Sequence, residues 1–117
     1  MARVTNPSKK KNAGSSSPSM LDRLIEEATV DAYGDSEQIT GFYTMMEDNL
    51  VVPFRTEVLG MEVIVEKIDL PDDGQIAAVC RRGKSRQRIP ILDLPLPDPK
   101  PKGAEWIEAY RRRARGK

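Results

Sequence analysis

Five carboxylates fall between Asp31 and Asp48: Asp31, Asp35, Glu37, Glu47 and Asp48, in the stretch "DAYGDSEQITGFYTMMED", which contains no lysine or arginine. Donors that are all oxygen suit a hard cation, and Ca²⁺ tolerates loosely arranged carboxylates and loop carbonyls because its coordination is flexible. The spacing is not that of an EF-hand. That loop needs acids at its first, third and fifth positions, a glycine at the sixth and a glutamate at the twelfth. Counted from Asp31, the third position is Tyr33, the sixth Ser36 and the twelfth Phe42. A plain structural reading also accounts for the five residues: Asp35 as a helix N-cap, Glu37 favouring the helix dipole, Glu47 and Asp48 on a solvated face. Spacing alone leaves both readings open and leans towards the structural one.

Other chemistry is largely closed. The chain has no histidine, and Cys80 is its only cysteine. This removes the Ser-His and Cys-His nucleophile pairs, the usual zinc sets, the general base near neutral pH and any internal disulfide. No carboxylate pair presents itself for a hydrolase, so a non-enzymatic role is expected. A second constellation is basic: Arg81, Arg82, Lys84, Arg86 and Arg88 crowd one hairpin, with more arginine at the C-terminus. Such a patch can hold nucleic acid or an acidic protein, as an SH3-like adaptor would. Stacking aromatics are not interleaved with it, which counts against nucleic acid. Asp69, Asp72 and Asp73 surround a "PDDG" segment that reads as a hairpin turn, with at most a peripheral Ca²⁺ contact.

The net charge of +1 conceals a segregation along the chain. Residues 1–18 carry four bases and no acid. Residues 19–80 carry fourteen acids against three bases, and residues 81–117 twelve bases against four acids. Mutual neutralisation within the fold is the simplest account of this asymmetry.

The elements that must position these groups fit one domain of α+β class in 117 residues. Residues 1–18 are basic and rich in Ser, Pro and Lys, and read as a disordered tail; residues 19–117 form the domain. Ser19 with Asp22 resembles a capping box opening a helix over about 20–29, with Leu21, Leu24, Ile25 and Ala28 on its apolar face. Asp35 with Gln38 opens a second over about 36–49, facing the core with Ile39, Phe42, Tyr43, Met46 and Leu50. Gly41 in its middle implies close packing. Short β-type runs then occupy about 51–94, broken at Gly60, Pro71–Gly74 and Gly83-Lys84. In one of them Met61, Val63, Val65 and Lys67 share a face. A small antiparallel SH3-like barrel or meander follows, packed with the helices. "LPLPDPKPKG" is extended, and a last helix over about 104–113 docks through Trp106, Ile107 and Tyr110. Cys80 is expected to be buried. No apolar run approaches the roughly 18 residues of a membrane span, and no secretory signal is evident, so a cytoplasmic location is expected.

The run "VDAYGDSEQITGFYTMMEDNLVVPF" resembles the signature of the CcbP-type family of small bacterial calcium-binding proteins. The matching residues are Asp31-Ala32-Tyr33, Glu37-Gln38, Gly41-Phe42-Tyr43, Glu47-Asp48, Leu50 and Pro53-Phe54. "RIPILDLPLP" and "GAEWIEAYRR" are similar to a subgroup of the same family, so the resemblance spans roughly residues 25 to 113. It implies a Ca²⁺-binding protein of α+β, small-barrel fold; as a buffer or sensor, the chain is expected to use Asp31, Asp35, Glu37 and Asp48 as ligands with Glu47 in reserve, one centre tying the "DAYGD" loop to the end of the second helix. The pattern departs in its second half, where this chain is basic and better-known members look strongly acidic.

Overall fold

The computed structural model describes residues 17–116. Helix α1 (Pro18–Thr29) starts earlier than the Ser19 capping box suggests, because Ser17 is the N-cap and its side chain accepts from the Met20 amide at 3.2 Å. Pro18 follows at the first helical position, where its fixed φ suits the turn and its missing N–H costs nothing. The expected disordered tail over residues 1–18 otherwise lies outside the described residues. Leu21, Leu24, Ile25 and Ala28 turn to the core as their 3.6-residue spacing requires.

Helix α2 (Asp35–Asn49) packs on α1 and on the sheet. Phe42, Met46 and the following Leu50 are buried, with Ile39 and Tyr43 packed beside them. A Cβ at Gly41 would lie 2.0 Å from the Ala28 carbonyl oxygen, so the two helix backbones touch only because position 41 has no side chain.

Four strands follow: β1 (Phe54–Val58), β2 (Met61–Asp69), β3 (Ala77–Arg82) and β4 (Ser85–Pro90). They form one antiparallel sheet in the order β1-β2-β3-β4, a meander. The sheet is open and does not close into an SH3-like barrel, since β1 pairs only with β2 and β4 only with β3. The β1–β2 turn is two residues, Leu59 (φ 54°) and Gly60 (φ 80°), both left-handed, as the twist of a tight hairpin favours.

Strand β2 does not keep strict alternation. Val65 pairs with Cys80 and Lys67 with Val79, so Glu66 is an extra residue that shifts the register. Beyond it the inward position passes to Ile68, and the expected sharing of one face by Val63, Val65 and Lys67 fails at Lys67. The bulge also leaves Glu66, Lys67 and Asp69 with the outer face of the sheet. Cys80 and Ala78 face the core, and burial raises the Cys80 thiol pKa.

Helix α3 (Glu105–Gly116) closes the core with Trp106, Ile107 and Ala109 buried and Tyr110 tilted on Phe42 at 5.3 Å between ring centroids. Its approach is fixed by Gly103 (φ 91°), where a Cβ would fall 2.2 Å from the Asn49 carbonyl oxygen, and by the Val51 amide donating to Lys102 O at 2.9 Å. Half-buried Arg111 donates to the Ile91 and Leu94 carbonyls, satisfying acceptors of the extended segment after β4.

Candidate metal centre

The five carboxylates of the acidic segment occupy the two ends of α2. At the N-terminal end, Asp31 adopts a left-handed backbone (φ 63°), a conformation aspartate tolerates better than most residues. The N-cap is Gly34, in extended geometry, and Asp35 is the first helical residue, one position later than its sequence context suggests. Glu37 bends back, and its Oε1 accepts from the Tyr33 amide at 2.7 Å. Asp35 and Glu37 also lie in the first turn, where the helix dipole favours negative charge. Local backbone chemistry therefore accounts for this end.

The C-terminal end is different. Glu47 Oε2 accepts from the Tyr43 hydroxyl at 2.7 Å, one helical turn earlier. That hydrogen bond, then burial, then the charges of Glu47 and Asp69 push the Tyr43 pKa up to about 12. Asp48 is exposed beside Glu47, and the last turn of α2 contains no basic residue. Two carboxylates consequently stand at the negative end of the helix dipole, where anions are disfavoured and cations favoured.

The two ends cannot share an ion. Asp35 and Glu47 are twelve helical residues apart, about 18 Å at the rise of an α-helix. Among the described residues, no three Asp, Glu, His or Cys side chains come together in a group able to hold a metal. The donor chemistry fits Ca²⁺, being entirely oxygen, but the geometry offers carboxylate pairs rather than a closed cage. A single centre joining the "DAYGD" loop to the end of α2 is not formed.

The basic constellation is largely occupied. Glu66 Oε2 takes Arg81 Nε at 2.7 Å and its Oε1 takes Arg86 Nε at 2.8 Å, while Asp69 Oδ2 takes Arg88 Nε at 2.9 Å. These guanidinium groups hold both carboxyls below the usual carboxylate range, Arg86 acting most strongly on Glu66 and Arg88 on Asp69. On α3, Arg112 pairs with Asp22 at 2.8 Å and Arg113 donates to Gln38 at 2.7 Å. The expected partner-binding set is therefore spent on the fold, with Arg82 and Lys84 left exposed at the hairpin tip. Asp73 caps its turn by accepting from the Gln75 amide at 2.9 Å.

Sequence reasoning passed over the Tyr43–Glu47 contact. Tyr43 was assigned wholly to the core, although its four-residue spacing from Glu47 is the spacing of facing helical side chains. The β2 bulge, which sends Ile68 rather than Lys67 inward, likewise carries no signal in the residue pattern.

Comparison with known proteins agrees with this architecture. Residues 22–112 match the family model Calci_bind_CcbP, described as "Calcium binding". A solved structure described as "The crystal structure of Anabaena CcbP" superposes with a TM-score of 0.68 at 22% identity, covering 89% of this chain and 97% of the other. Another, described as "Calcium binding protein in the calcium-binding form", gives a TM-score of 0.65 at 23% identity, covering 83% and 91%. No curated protein sequence matches the chain. With the family model spanning most of its length and the same fold in both structures, the chain belongs to the CcbP family of calcium-binding proteins.

Proposed function

We propose that this protein takes up Ca²⁺ chiefly at the C-terminal end of α2, through Glu47 and Asp48, as a non-catalytic cytoplasmic buffer or sensor. One observation carries the reading. Glu47 and Asp48 crowd negative charge onto the carbonyl end of a helix whose last turn has no basic residue, and neither is ion-paired among the described residues. A cation at that end relieves the dipole conflict. Tyr43 fixes one oxygen of Glu47 by its hydrogen bond and leaves the other available. Asp31, Asp35 and Glu37 at the opposite end form a second and weaker locus, since Glu37 already serves the Tyr33 amide. When bound, Ca²⁺ would neutralise the carboxylates that hold it.

Few protein ligands and no rigid cage place the affinity on the order of 10⁻⁴ to 10⁻³ M. Calorimetric or NMR titration of the full chain with Ca²⁺ tests this. Saturable shifts centred on Glu47, Asp48 and Tyr43 are expected, and the absence of any saturable response at millimolar Ca²⁺ would refute the proposal.

A further inference from the structure

The sheet has two free edges, β1 and β4, and their residues differ in kind. A two-residue turn makes its flanking pair, Val58 and Met61, a hydrogen-bonded one. Alternation then leaves the backbone N–H and C=O of Arg55 and Glu57 pointing away from β2. Neither amide has a partner outside the sheet among the described residues. On β4 the same count turns the backbone of Arg86, Arg88 and Pro90 outward. Two like charges and a residue without an N–H blunt that edge against pairing. On β1 the outward positions hold one base and one acid instead. Their side chains are exposed on the face away from the core, since Thr56 between them is buried. Glu57 is also poorly placed within its own chain. Directly across from it stands Glu62, a like charge, and no ion pair reaches Glu57 among the described residues.

We propose that the β1 edge is a self-association surface, where two copies of this chain pair antiparallel about a two-fold axis through Thr56. In that register Arg55 lies opposite Glu57 of the partner subunit, and Glu57 opposite Arg55 of the partner subunit. All four positions have outward backbone groups, so each cross-subunit pair exchanges both of its N–H···O bonds and the two sheets join into one. Moving the axis to residue 55 or 57 sets like charges face to face, so charge selects the register. A base and an acid on either side of the axis complement their own reversal, which names a second copy as the occupant. The same register brings the β1–β2 turn alongside Val52 and Pro53 of the partner subunit. Leu59 in that turn is 97% exposed and Val52 37%, so pairing covers apolar side chains that the single chain leaves in water. A cleft of about 380 Å³ flanks the edge, lined by Arg55, Glu57, Pro95 and Pro97 among others. The prolines there have no N–H with which to cap the edge carbonyls.

Analytical ultracentrifugation of the full chain, over a concentration series reaching roughly 1 mM, tests this, because a single strand pairing is a small interface and associates weakly. Wild type should show a reversible monomer–dimer equilibrium. Arg55→Glu leaves two acids at the edge, and Glu57→Arg leaves two bases. Each variant alone should dimerise about tenfold more weakly, since the cross-strand attractions become repulsions. Mixed in equal amounts, the two should associate with each other at least as tightly as wild type does with itself, because every edge base then faces an acid. That recovery also shows that both variants fold. Wild type that stays monomeric throughout, variants that self-associate as wild type does, or a mixture no tighter than its components would overturn the proposal. A second measurement needs no variant. In wild type, exchange of the Arg55 and Glu57 amides with solvent should slow as concentration rises, while that of the Arg86 and Arg88 amides stays constant. A dimer that forms without added protection at Arg55 and Glu57 would place the contact elsewhere and overturn the proposal as well.

Discussion

On β2, Glu62, Glu66 and Asp69 each have an arginine in reach, whereas on α2 and the loop before it none of five carboxylates has a basic partner among the described residues. The two regions are in contact, and both are acidic. What separates them is what lies across from each. Strand β2 runs between β1 and β3, with β4 beyond, and these bring Arg55, Arg81, Arg86 and Arg88 to its acids. Helix α2 contributes no base of its own; its neighbours α1 and β2 are rich in acid, and of the arginines on its third neighbour, α3, Arg112 goes to Asp22 and Arg113 to Gln38 rather than to the five carboxylates. Neutralisation is therefore intramolecular on the sheet and left to the solvent on the helix. An acidic composition alone does not identify a cation site, because the fold can supply the counter-ions itself.

Several substitutions break or sharpen this contrast. The largest effect is expected at Gly41, which sets where α2 lies: Gly41→Val places a side chain against the Ala28 backbone and should cost about 3 kcal/mol in stability, read by denaturant unfolding. Next, Glu47→Gln/Asp48→Asn should weaken Ca²⁺ binding about tenfold or more, equivalent to about 1.4 kcal/mol. Asp31→Asn/Asp35→Asn, at the other end of the same helix, should weaken it less than about threefold, within the range of an exposed charge effect. Equal losses from both pairs would erase the distinction between the two ends. The Tyr43–Glu47 contact gives a spectroscopic check. Phenolate absorbance should show one tyrosine titrating near pH 12, and Glu47→Gln should bring it back towards 10. Because folding raises this pKa, the contact stabilises fully below about pH 10 and is lost as pH rises through about 12.

The smallest effect belongs to the sheet. Arginine pairing lowers the Glu66 and Asp69 pKa values, so their contribution is present above the ordinary carboxylate range and disappears as pH falls through the depressed folded values. Thermal melts of Glu66→Gln/Asp69→Asn should differ from wild type at neutral pH and converge with it in acid. High salt should shrink the difference as well.

Much of this architecture could be read from residue patterns. The 3.6-residue spacing of Phe42, Met46 and Leu50 and the glycine at 41 located α2 and its close neighbour, and the turn residues separated the strands. The patterns failed where the answer depends on pairing between distant residues. Pro18 is the local signal for Ser17 rather than Ser19 as the cap, but nothing in "VEKID" announces the bulge that sends Ile68 rather than Lys67 inward. The ion pairs of Arg86 with Glu66, Arg88 with Asp69 and Arg112 with Asp22 join residues 20, 19 and 90 apart, so they emerge only from the folded topology. The separation of Asp35 from Glu47 was available from helix arithmetic alone. Treating five acids as one centre set that arithmetic aside.

The contact between Gly103 and Asn49 bears on how the molecule opens. Backbone meets backbone there with no side chain between, and the Val51 amide is bonded to Lys102 across the same junction. The last turn of α2 therefore has no room to fray while the residues leading into α3 stay in place. The two should open in a single cooperative step, and the Val51 amide should exchange with solvent as slowly as the amides in the middle of α3. The acidic end of α2 is exposed to water, but the backbone beneath it is expected to exchange slowly.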